Sequence, residues 1–94
     1  MCKMAIQKAG WNFAEMAAKQ GKKLMSVPLK DKATAKILWN ENAVDCYVMK
    51  KGKLVEGRGY QGPANCVLEE FGLILDKLQK IAEPGFDILK CLLK

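Results

Sequence analysis

The sequence predicts a single α+β domain over residues 1–94, a small antiparallel three-stranded sheet in the order α-β-β-β-α-α, covered by helices on one face. Three observations predict it. Apolar and polar residues alternate through 33–39 and on both sides of Lys51-Gly52, which is the period of half-buried strands. From Pro63 to Ala82 the apolar positions instead recur at helical spacing. Asn12 opens, and Gly21 closes, an earlier amphipathic segment.

Each element has a local reason. Asn12 and Glu15 form a capping pair, Trp11 and Met16 occupy hydrophobic-staple positions, and Gly21 supplies a left-handed stop. Residues 3–9 are read as a short preceding helix that breaks at Gly10. In LMSVPL, Pro28 cannot donate to a ladder, so this stretch is an edge strand or an extended connection. ATAKILW (33–39) puts Ala35, Ile37 and Trp39 on one face, and Asn40-Glu41-Asn42 is turn chemistry. With Lys51-Gly52 as a two-residue turn, Lys50 opposes Lys53, and an unbroken ladder follows. That ladder sets Cys46 against Gly57 and Val44 against Gly59 on a core face. It sets Tyr47 against Glu56, and Asp45 against Arg58, on the other. Proline suits the start of a helix, and Val67, Phe71, Ile74, Leu78 and Ile81 form its stripe, widened by Leu68, Leu75 and Ala82. Glu83-Pro84-Gly85 ends that helix, and FDILKCLL is a short apolar helix after it.

Composition excludes several chemistries. The chain contains no histidine, which removes the commonest general base and every Ser-His or Cys-His pairing. No apolar run reaches the roughly 18 residues of a membrane span, so no membrane partner is expected. Cys2, Cys46, Cys66 and Cys91 lack the close spacing of zinc knuckles, and no export signal is evident; reduced thiols in a cytoplasmic protein without metal or cofactor are expected. The net charge of +6 is lopsided: eleven lysines against four acids in residues 1–53 give +7, and five bases against six acids in 54–94 give −1. Lys22, Lys23, Lys36, Lys50, Lys51 and Lys53 are accordingly candidates for a polyanion surface, or else a solvated face.

Gly57-Arg58-Gly59-Tyr60-Gln61-Gly62 matches G-x-G-x-x-G between a strand and a helix. A dinucleotide fold requires a parallel strand after that helix, whereas Pro84, Gly85 and another helical segment follow here. A smaller reading survives, in which Gly57, Arg58, Gly59, Tyr60, Gly62 and Cys66 form an anion or ligand site, with Cys66 near a helix N-terminus as a thiol. The alternative is purely structural: glycines let the helix approach and Arg58 pairs with Asp45.

From Tyr47 to Gly72 the chain resembles a family of small proteins of unknown function. In that family a hairpin leads into a Gly-aromatic-x-Gly-x-x-Cys loop and a Leu-Glu-containing helix ending in glycine. The residues that carry the likeness are Gly59, Tyr60, Gln61, Gly62, Pro63, Cys66, Leu68, Glu69 and Gly72. Cys66 comes one residue late, the helix glycine comes early, and the family's acidic-aromatic tail is absent. The resemblance implies a β-β-α shape and no catalytic role. The α-β-β-β-α order is also similar to double-stranded-RNA-binding domains, but Glu69 and Glu70 stand where those carry basic residues.

Three functions follow as expectations. The first is a non-catalytic module that binds a protein partner or itself as a homo-oligomer. Its motive is surplus apolar surface at Trp11, Leu24, Met25, Leu38, Met49, Leu54 and the 86–93 segment. The second is RNA or DNA binding through the lysines of residues 19–53, with Tyr47 or Trp39 stacking on bases. The third is an enzyme whose working group is the thiol of Cys66 or a carboxylate such as Asp45 or Glu56.

Overall fold

The computed structural model describes residues 12–92, and its first described residue caps a helix as the sequence predicts. Asn12 Oδ1 accepts from the Glu15 N–H at 3.0 Å. Helix α1 (Phe13–Gln20) ends at Gly21, whose left-handed φ of 64° turns its N–H back onto the last carbonyls. The expected helix over 3–9, the Trp11 half of the staple and the thiol of Cys2 lie outside the described residues.

Four strands follow, one more than the sequence order contains. They are β1 (Lys23–Pro28), β2 (Ala33–Trp39), β3 (Ala43–Lys50) and β4 (Lys53–Gln61), an antiparallel sheet in the order β1-β2-β3-β4. The segment read as an edge strand or a connection is therefore the edge strand. Proline is tolerated there because it is the last paired residue, opposite Thr34. A 3-10 turn at Lys30–Lys32, not anticipated from the sequence, joins β1 to β2. Helix α2 (Ala64–Ile81) begins one residue after Pro63, which caps it in an extended conformation, and α3 (Ile88–Leu92) closes the described chain.

The expectation of helices on one face is corrected. Val67, Ile74 and Leu78 of α2, with Ile88, pack on Met25, Val27, Ala35, Ile37, Val44 and Cys46. On the opposite face Phe13 and Ala17 of α1 pack on Leu38 and Met49, with Leu24 and Tyr47 at the margin. Much of the apparent apolar surplus is thus a second core, because strands alternate and both faces of this sheet carry a helix. Leu54 alone among the strand residues of that surplus remains exposed, at 42%.

The hairpin turn is as predicted, with positive φ at Lys51 (55°) and Gly52 (77°). The ladder beyond it is not. Lys50 opposes Lys53 and Met49 opposes Leu54, but Val48 then opposes Glu56, so Val55 is an extra residue in a β-bulge. Every later pair slips by one: Cys46 opposes Arg58, Tyr47 opposes Gly57, Asp45 opposes Gly59 and Val44 opposes Tyr60. Gly57 and Gly59 consequently leave the α2 face, and Arg58 arrives on it. The slip sets the half-buried Tyr60, rather than a glycine, beside the α2 core cluster. It also leaves room beside β3. A Cβ at Gly57 would lie 3.4 Å from Tyr47 Cδ1, and one at Gly59 would collide with Asp45 Oδ1. The predicted Asp45–Arg58 pair is absent; Asp45 instead receives Lys22 Nζ at 2.5 Å.

Candidate functional site

The least covered part of the sheet is β4, exposed at every position from Lys53 to Gly59. The buried stripe of α2 packs on residues of β1, β2 and β3, and its last residues border β4 across a gap. Beneath it lies a groove of about 430 Å³ whose floor is Cys46 and Val48 of β3 and whose wall is Ile74, Leu78 and Ile81 of α2. Glu56 and Arg58 form one rim, Lys77 and Lys80 the other. Ile81, on the groove wall, is 46% exposed, and Val55, next to Glu56 on β4, is 63% exposed. No strand among the described residues pairs with the outer edge of β4.

Groove electrostatics follow from the bulge. Glu56 and Arg58 are two apart on one face, giving a rim of alternating sign. Burial pushes the Cys46 thiol from its ordinary 9.0 up to about 11, Glu56 adds to that, and Arg58 opposes it. The floor is thus an uncharged thiol at neutral pH. Because the folded chain holds this proton more tightly than the unfolded one, its contribution to stability is complete below pH 9 and is lost as pH rises toward 11. Urea midpoints should fall over that interval, and Cys46→Ala should flatten the fall. A residual slope should remain, because the Tyr47 phenol is also raised, by burial and then by Asp45. An unchanged slope in the variant would contradict the assignment to Cys46.

The residues proposed as an anion site are divided between the two faces of the sheet. Gly57 and Gly59 face Tyr47 and Asp45, whereas Arg58 lines the groove. Farther along, the side chains of Tyr60 and Cys66 share a hydrogen bond. This bond, ahead of burial and the charges of Glu70 and Glu69, raises the Tyr60 phenol above its ordinary value. Several amides of the loop and helix start are committed: Gly62 N–H donates to Asn42 O at 3.1 Å, and the Cys66 and Val67 N–H groups donate to Pro63 O.

The candidate lysines are likewise dispersed. Lys22 is held by Asp45 and Gln20, and Lys36 donates to Ser26 Oγ at 2.8 Å. Lys23 opposes Trp39 at one end of the sheet, while Lys50, Lys51 and Lys53 cluster at the hairpin tip at the other. Trp39 is not free to take a base by stacking from the α2 side, because its ring stacks on Phe71 with centroids 4.9 Å apart. No described helix is long and apolar enough to cross a membrane.

Ile81 of the groove wall and the bulge residue Val55 were not site candidates in the sequence, and Glu56 was one only as a possible working carboxylate. One local signal was available. Leu54 and Val55 are consecutive apolar residues inside an alternating strand, and such a break in alternation marks a bulge or a strand exposed on both sides. Comparison of the chain with known protein families, curated proteins and solved structures found no match.

Proposed function

We propose that this protein is a non-catalytic protein-binding module whose binding surface is the outer edge of β4 together with the groove beside it. The observation that carries the reading is the strand itself: Lys53 to Gly59 are exposed along an edge that no other described strand pairs and that borders an apolar groove. An open edge presents alternating N–H and C=O groups to an incoming extended segment. Pockets for every second side chain then supply selectivity. Here the groove accepts apolar side chains, and Glu56, Arg58, Lys77 and Lys80 select charges at its rim. The nucleic-acid reading rests on Lys50, Lys51 and Lys53 at the hairpin tip and on Lys23 at the far end of the sheet, and the thiol-enzyme reading on a Cys66 already engaged by Tyr60.

Selection of short peptides from a random display library against the whole chain tests the proposal. Selected peptides should perturb the backbone amides of β4 and of the last two turns of α2. Val55→Lys and Ile81→Lys alter only exposed positions and should weaken them by roughly tenfold, the equivalent of about 1.4 kcal/mol. Peptides that bind both variants as tightly as the parent, or that map to the α1 face, would overturn the reading.

A further inference from the structure

The two edges of the sheet are treated differently. On β1, Pro28 removes a donor at the strand end, its carbonyl accepts the Glu83 N–H at 3.0 Å, and Leu29 forms a bridge with Ala82. That edge is closed in the usual way, by proline and by covering chain. The β4 edge contains no proline from Lys53 to Gln61, and its only charged residues beyond the first are Glu56 and Arg58, one either side of Gly57. Charges on an edge normally repel another strand. In this arrangement they repel every symmetric register except those that set opposite signs face to face or keep the charges apart.

We infer that the segment received by β4 is β4 of a second copy of this chain, paired antiparallel about a two-fold axis at Gly57; the inference rests on the binding surface proposed above. A two-fold axis perpendicular to the sheet keeps opposed side chains on the same face, so the axis passes through a residue position. Centring it on Glu56 opposes two carboxylates, and centring it on Arg58 opposes two guanidinium groups. Centring it on Gly59 leaves Glu56 against Gly62 and Arg58 against Tyr60, with no charge paired. Centring it on Gly57 sets Glu56 of each copy opposite Arg58 of the other, twice, on the face that carries the groove. Opposite charges directly across a strand pair are favourable and like charges are not.

The rest of the charge distribution agrees. Residues 54–94, which supply nearly all of β4 and all of α2, carry −1, whereas the first 53 residues carry +7. Antiparallel pairing also separates the two lysine tips: Gly52 lies five positions from the axis, which puts the tips about 33 Å apart along the strands at about 3.3 Å per residue. That distance exceeds the screening length of physiological salt several-fold. Because the axis is perpendicular to the sheet, both α2 helices fall on one face of an eight-stranded sheet, and the two grooves open toward each other over the seam.

The test is the mass of the full chain by sedimentation equilibrium over a wide concentration range. The parent should self-associate to a dimer. Arg58→Glu and Glu56→Arg each place two like-charged contacts across the seam and should weaken the dimer by roughly tenfold or more. The double swap Glu56→Arg/Arg58→Glu should restore it. An equimolar mixture of the two single variants should form a heterodimer, since one then offers only Arg at 56 and 58 and the other only Glu. Circular dichroism of these exposed-site variants should match the parent and so separates misfolding from loss of pairing. A chain monomeric at every concentration would overturn self-pairing, while retained binding of selected peptides at β4 would leave the binding-module reading standing. A dimer indifferent to both single swaps, or a mixture that does not pair, would overturn the Gly57 register.

Discussion

Ile37→Ala should lower the free energy of unfolding by about 2–5 kcal/mol, the range for truncating a fully buried aliphatic side chain. Ile37 has no exposed surface and lies on β2, between Met25 of β1 and Cys46 of β3. From there it packs within the cluster that also holds Val67, Ile74 and Leu78 of α2. Strand neighbours fix its backbone on both sides, so the surroundings have little freedom to collapse into the space left behind. Domains of this size are stable by about 5–15 kcal/mol, so the upper end of the range would remove a large share of that margin. Urea unfolding should show a lower midpoint at an unchanged slope, and Ile37→Val should lose only about 0.5–1.5 kcal/mol. A loss below about 1 kcal/mol for alanine would mean that the centre of the sheet is not packed as described.

Gly59→Ala should destabilise the fold by about 1–3 kcal/mol, against the ordinary preference of a strand for alanine over glycine. The added methyl has no room beside Asp45 Oδ1. That carboxylate is the end of a side chain and is able to turn away, but turning breaks its contact with Lys22 Nζ. The pair is largely shielded, with side-chain exposures of 11% for Lys22 and 23% for Asp45, so it is worth more than a surface ion pair. The cost therefore belongs to the ion pair rather than to the backbone, and a double-mutant cycle separates the two. In an Asp45→Ala background, Gly59→Ala should be neutral to within about 0.5 kcal/mol. If both backgrounds lose equally, Gly59 is required for a reason other than the carboxylate opposite it.

The two variants also mark where local sequence pattern was sufficient and where it was not. Ile37 was legible as a strand residue with Ala35 on its face, because alternation is a property of adjacent residues. Gly59 was legible as a special position but was assigned to the wrong face. Its direction depends on a single extra residue, Val55, four positions away. The α2 stripe was read correctly at Val67, Ile74 and Leu78, but Leu68 and Ile81, also read as facing the core, are 69% and 46% exposed. A helical wheel gives the direction of a side chain; it does not say whether the neighbouring strand extends far enough to meet it. For the same reason the groove was invisible in the sequence: its floor, wall and rim come from β3, α2 and β4.

What the sequence by itself determined was the punctuation of the chain: the Asn12 cap, the Gly21 stop, the Lys51-Gly52 turn, the start of α2 to within one residue of Pro63 and the α+β class. These depend on backbone groups within a few residues of one another, so local chemistry is enough to settle them. The tertiary structure alone decided the bulge at Val55, the distribution of helices over both faces, the partner of Asp45 and the place of β4 at an edge that no other described strand pairs. Each is a competition between side chains distant in sequence for one buried volume or one charge. Its outcome is set when the strands align, and no short stretch of sequence contains all the competitors.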